Sequence, residues 1–294
     1  MKPSGRFFVL KIWAAGCALA VVSGAGLVVG FVIRRGAPAL RPSLLFGAAP
    51  PWHAVFGNVP VFDGLWPAVL GTVSVVLLAV GFAVPLGLAA GIYLAEFARG
   101  RTKQMLSVAF DILAGIPSIV IGLFGFSLSL TLHRFVSPRI GPCLVLSAFC
   151  LGILVLPYLI RAVQSALEGL PLSLRLTALS LGAHRVQNLR YVLLPSSLNA
   201  IATGVILAIG RCAEDTAVIL LTGAVALAGK PRSLLENFEA LPFYIYYVSS
   251  QYTSAEELER GFGAAIILLA ISLGLYLIAL SIRHRIGRQA FYGR

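Results

Sequence analysis

Runs of about twenty apolar residues, the length that crosses the hydrocarbon core of a bilayer as a helix, recur along the whole chain and limit what it can fold into. They cover Ile12 to Ile33, Pro67 to Ala95, Met105 to Leu132, Cys143 to Ile160, Ser196 to Leu221 with an apolar tail up to Ala228, and Phe262 to Ile282. In lipid, a backbone that cannot bond to water must satisfy itself, which long helices do. The expectation is an all-α integral membrane protein of six transmembrane helices. Composition agrees: 59% of the 294 residues are apolar, 12% are charged and the mean hydropathy is +0.92, more apolar surface than a water-soluble fold could bury.

The first run follows Lys2, Arg6 and Lys11, as a secretory signal would, but its length of 22 residues, and the absence of a convincing small-x-small cleavage site followed by a soluble domain, make it read as a retained span. Residues 1–66 then form a helix and a Pro- and Gly-rich outer loop, and residues 67–294 a membrane core with a polar segment at 161–195. Lys and Arg gather on cytoplasmic loops. With the N-terminus inside, inner segments hold 14 of them and outer loops 8, which places both termini in the cytoplasm. The acids Asp63, Glu236, Glu239, Glu256, Glu257 and Glu259 fall on the outer side.

The net charge of +12 does not indicate nucleic acid, because its cations lie between apolar runs rather than in a basic groove. Cys17, Cys143, Cys150 and Cys212 sit in apolar runs without metal-ligand spacing and read as buried apolar side chains. Gly229-Lys230 is followed by Pro231 and is no P-loop; four scattered histidines give no HExxH, and no serine sits in GxSxG. The chain is therefore expected to bind no ATP and no metal of its own and to be no enzyme.

Between the fourth and fifth runs, Gly182 is followed by Val192, Leu194 and Pro195. Leu170 to Leu181 can form an amphipathic helix, Gly182 permits a sharp turn, and Pro195 opens the next helix. Such an elbow either docks into another protein's groove or, with Arg175, Arg185 and Arg190, lies on headgroups. Its spacing resembles the EAA-x3-G-x9-I-x-L-P loop of permease subunits of ABC importers, where Gly182, Val192, Leu194, Pro195 and Ala178 match. Leu176 and Thr177 stand at the positions of that family's glutamate and first alanine.

Further segments resemble the PstA-type permeases of phosphate transporters: Gly91-Ile92-Tyr93-Leu94-Ala95-Glu96-Phe97-Ala98, Leu113 to Leu123, Leu241-Pro242 with Ile245-Tyr246, and Gly261 to Ala265. The resemblance covers Pro67 to the end. It implies a type I ABC importer permease in the bacterial inner membrane. The partners implied are a second, PstC-like permease, a PstB-like ATPase dimer holding the ATP and Mg, a PstS-like extracytoplasmic phosphate-binding protein, phosphate and lipid. Molybdate, tungstate or sulfate as cargo, and a secondary transporter using intramembrane acids, stay open beside it.

The fifth run holds Arg211, Glu214, Asp215 and Thr216, ionisable groups that need protein or water at that depth. On a continuous helix Arg211, Glu214 and Asp215 would share a face and pair. The resemblance aligns Arg211, Asp215 and Thr216 with an Arg-Ala-x-Gly-Glu-Thr pattern, with Glu214 in the glycine's place. Arg211 either offers a fork to a passing oxyanion or belongs to an ion pair that specifies assembly. Asp111 and Ser118 flank the Gly115-Ile116-Pro117 break. Each reads either as path-lining or as hydrogen-bonding to the freed backbone. The aromatics Phe238, Phe243, Tyr244, Tyr246 and Tyr247 either meet the binding protein or form an interfacial belt.

Overall fold

The computed structural model describes residues 5–56, 61, 64–138, 141–231 and 233–292. Lys2, Asp63, Arg139, Arg232 and Arg294, used above in weighing orientation, lie outside them. The elements are helical throughout: α1 (Gly5–Gly36), α2 (Pro42–Phe46), α3 (Pro51–Phe56), α4 (Trp66–Ile92), α5 (Gly100–Ala114), α6 (Ser118–Phe135), α7 (Leu144–Glu168), α8 (Leu172–Ser180), α9 (Arg185–Asn188), α10 (Leu194–Glu214), α11 (Ala217–Thr222), α12 (Leu241–Gln251) and α13 (Ala255–Tyr292). Among the described residues six helical stretches are long and apolar enough to span: Val9–Ala39, Trp66–Phe97, Ser118–Phe135, Leu144–Glu168, Arg185–Glu214 and Ala255–Arg285.

The centre of the bundle is α4 against α7. Along α4 the residues Ala79, Ala83, Gly87 and Gly91 recur every fourth position and are buried, a row of small side chains that lets two membrane helices approach closely. A methyl group at Gly87 would lie 2.7 Å from Leu159 Cβ, and one at Gly91 2.6 Å from Val163 Cβ. Against this row α7 buries Leu151, Val155, Leu159, Ile160 and Val163. On the other side of α7, Gly204 of α10 meets Ala162 in the same way.

The amides that open a helix lack intrahelical partners, and at α7 a distant loop supplies them. Cys143 N donates to Thr222 O (2.8 Å), Leu144 N to Glu236 O (3.1 Å) and Val145 N to Leu234 O (3.0 Å). The 223–240 loop is folded back by a parallel bridge between Ala224 and Phe238. Phe238 is fully buried, Leu241 N donates to Thr72 Oγ1 on α4, and the Glu239 carbonyl lies where a side chain at Gly71 would stand, 2.0 Å from that Cβ.

Three features differ from the sequence expectation. The third run is not one helix: Gly115 N bonds back to Asp111 and Ile112, Pro117 has no amide to continue the ladder, and α5 separates from α6 with no buried residue. The described residues between α1 and α4 are not simply an exposed loop, since Leu44 is buried, Leu65 N donates to Leu44 O and the Phe46 and Trp66 rings meet at 5.5 Å. Cys143, Cys150 and Cys212 are buried, whereas Cys17 is exposed because α1 presents nearly all its surface outward.

Candidate functional site

The charged cluster of the fifth run lies at a helix break. α10 ends at Glu214, Asp215 takes an extended backbone (φ −75°, ψ 114°), and α11 begins at Ala217. The Asp215 carboxylate turns inward, buried, and accepts the Val218 amide at 2.9 Å. That corrects the expectation of one shared face for Arg211, Glu214 and Asp215: the backbone turns before Asp215, and three free amides of a new helix attract a carboxylate more strongly than an arginine at the surface does. Arg211 and Glu214 stay on the exposed face of α10, and Thr216 is half-buried. Among the described residues Arg211 makes no ion pair.

The break before Ser118 sits beside this one. A Cβ at Gly122 of α6 would lie 2.9 Å from Ala217 O, and one at Gly125 would lie 2.5 Å from Thr222 Cγ2. Ascending positions on α6 thus meet ascending positions on α11, so the two helices run parallel. Ser118, half-buried at the first turn of α6, is then roughly one turn, ~5.4 Å, from the level at which α11 starts. Two interrupted helices side by side are the geometry in which irregular backbone at membrane depth is tolerated, because protein or an aqueous cavity must lie next to it.

Asp111 is placed differently from Ser118. Its carboxylate accepts from Arg161 Nε (2.9 Å), and Arg161 also reaches the Ser107 carbonyl (2.9 Å) and Gln164 Oε1 (2.9 Å). Gln164 continues to Glu168 (3.0 Å), which takes Lys103 at 2.6 Å. A polar ladder therefore joins α5 to the last turns of α7, a set of contacts the sequence did not reveal because its members lie some fifty to sixty-five residues apart.

The elbow is helix, turn, helix. α8 ends at Ser180, Gly182 takes a positive φ of +83°, a conformation glycine adopts without steric cost, and the Gln187 side chain accepts the His184 amide to open α9. A π-turn over Leu189–Leu193 leads into α10, with Leu194 and Pro195 in its first turn. Leu172, Leu176 and Leu179 form one exposed apolar face of α8, with Thr177 exposed and Ala178 half-buried beside them. Leu181, Val186 and Tyr191 extend that surface, while Val192 is half-buried. The position of the resembled family's glutamate is thus an outward leucine, Leu176, and the apolar contact is available where the charged one is not.

At the opposite end, Glu239 accepts the Gly229 amide at 2.8 Å in a cavity of about 210 Å³ shared with Phe243, Tyr244, Tyr247 and Arg260. Burial raises the Glu239 pKa above the usual carboxylate value, partly offset by that amide. Tyr246, Tyr247 and Tyr252 are exposed on and just after α12.

Six helices long and apolar enough to span, two of them with breaks at adjoining ends and one preceded by a helical elbow, make the architecture of a multi-pass membrane protein. Residues 83–289 match the family described as "Binding-protein-dependent transport system inner membrane component", and the chain belongs to that family. It is 31% identical over 247 residues to the phosphate transport system permease protein PstA of Haemophilus influenzae, covering 83% of each chain. It is 30% identical over 235 residues to PstA 1 of Mycobacterium tuberculosis, covering 79% of this chain and 75% of that one. The fold is shared with the MetNI methionine ABC transporter in inward-facing conformations, at a TM-score of 0.57 and 20% identity over 76% of this chain and 95% of that chain. As a permease component of an ABC transporter, the chain is not itself the ATPase.

Proposed function

We propose that this chain is the permease subunit of an ATP-driven phosphate importer and forms half of the translocation pathway. The observation that carries the reading is the elbow, whose outward apolar face on α8 and α9 is a surface for another protein, in a chain similar to phosphate permeases. Its partners are a second, PstC-like permease, a PstB-like ATPase dimer that holds the ATP and Mg, and a PstS-like phosphate-binding protein. Both termini and the elbow face the cytoplasm, and the 223–260 region with its tyrosines meets the binding protein outside.

In this reading phosphate passes along the exposed face of α10. Arg211 offers a guanidinium fork to the tetrahedral anion, and Glu214, one turn on, keeps the anion from binding too tightly to leave. Asp215 and Thr216 set the break in α10 and α11, Ser118 borders it from α6, and Asp111, held by Arg161, sets the charge at the inner mouth. ATP drives the cycle only by binding the assembly differently in its two states; the residues 161–195 carry that difference to the spans.

Reconstitution of this chain with its three partners in liposomes is expected to give phosphate uptake that requires ATP. Uptake by the chain alone, without nucleotide, would sink the reading. Arg211→Ala is expected to abolish uptake while the complex remains assembled, whereas loss of assembly would assign Arg211 to an interface.

A further inference from the structure

α8 has no buried residue, yet a single residue fastens it to three other parts of the molecule, two through its side chain and one through its carbonyl. Arg175 donates through one guanidinium nitrogen to Glu96 Oε1 at 2.8 Å, in the turn that follows α4, and through the other to the Leu167 carbonyl at the end of α7. Its own carbonyl accepts the Asn188 side-chain amide at 2.9 Å, so α9 hangs on the same residue. Arg175 and Glu96 are 22% and 19% exposed, the most shielded of the described ion pairs. Water screens the other pairs more, and a guanidinium fork resists rotation in a way that a lysine does not.

We infer that the Arg175–Glu96 pair is the joint through which movement of the elbow is delivered to α4 and α7. This inference rests on the importer reading above. Arg175 is a positioning residue: it touches neither nucleotide nor anion. An elbow whose outer face follows a moving partner can displace the spans only through attachments that do not give. The covalent path from α8 to α7 runs through Gly169 and Leu170, which leave the helix, and the path to α10 through a π-turn. The side-chain joint bypasses both and ties α8 to the turn that continues α4, whereas Leu189 and Leu193, after α9, meet Leu88 and Ile92 of α4 only in a shared apolar cluster.

The distinguishing quantity is the ratio of phosphate moved to ATP hydrolysed in liposomes holding the full assembly, with labelled inorganic phosphate and the binding protein inside the assay. Arg175→Ala and Glu96→Ala are expected to keep ATP hydrolysis within about twofold of the wild type while that ratio falls at least tenfold. Arg175→Lys, which keeps the charge and loses the fork, is expected to fall between, and it decides the matter should the alanine variant not assemble. The exchanged pair Arg175→Glu with Glu96→Arg is expected to recover part of the ratio. An unchanged ratio, or hydrolysis and uptake falling in step, overturns the proposal. Wild-type uptake that does not depend on ATP would instead overturn the importer reading and leave the joint with nothing to transmit.

Discussion

Asp215 shows how a residue's neighbours along the backbone can outrank its neighbours on a helical wheel. Four-residue spacing from Arg211 suggested a pair; the backbone turns between them, and the carboxylate caps α11 instead. Capping carboxylates typically contribute ~1 kcal/mol, so Asp215→Ala is expected to lower the thermal midpoint of the purified complex, and Asp215→Asn, which keeps an acceptor, to restore most of it. Gly71 is a harsher case. Its missing side chain makes room for the Glu239 carbonyl, 2.0 Å from where a Cβ would stand, and neither the backbone of α4 nor that of the loop can yield so far. Gly71→Ala is expected to destabilise the chain more than Asp215→Ala does, read as a lower yield of monodisperse protein. For Glu239, the folded state favours the protonated carboxyl, because burial raises its pKa. Its contribution is therefore largest below the ordinary carboxylate pKa and declines as pH climbs through the raised value. Hydrogen exchange across residues 223–240, corrected for intrinsic rates, is expected to show weaker protection with rising pH, and Glu239→Gln to remove that dependence.

The helices differ in how openly the sequence announced them. Apolar length alone marked the spans, and the glycine with its flanking leucines marked the α8–α9 elbow, since both depend on side chains whose chemistry is local. The separation of α5 from α6 was half-visible in Gly115-Ile116-Pro117, although the apolar residues on either side, such as Ile112 and Ile119, read as one run. What stayed hidden was the loop that closes over α7. Its bonds run from backbone to backbone, and backbone groups look alike in every sequence. The four-residue recurrence of Ala79, Ala83, Gly87 and Gly91 was legible, and it marks α4 as a helix that a neighbour can approach closely without naming α7 as that neighbour. Gly87→Leu or Gly91→Leu is expected to drive α4 from α7, because each would place a side chain inside Leu159 or Val163. Loss of a cysteine crosslink engineered across that interface would report it.

For the molecule as a whole, candidate-site residues fall into separate groups rather than one. Arg211, Glu214, Asp215, Thr216 and Ser118 gather near the paired breaks, Asp111 belongs to the ladder between α5 and α7, and Leu176, Thr177, Ala178, Gly182, Val192, Leu194 and Pro195 belong to the elbow. Motif spacing, charge within an apolar run and the Pro117 break assigned residues to each group, but the distance between groups is set by packing that no local pattern records. Gly182→Val is expected to reduce uptake by an assembled importer, since a β-branched residue is strained at φ +83°; the check is phosphate transport alongside co-purification of the ATPase. The close seating of α4 on α7 has a mechanical corollary. Methyl-depth contact at Gly87 and Gly91 leaves those two rods no freedom to slide past each other, so any stroke must move them together. The slack has to be found where rods are already cut, beside Pro117 and Asp215, and it is there that a passage could widen and narrow without unmaking the centre.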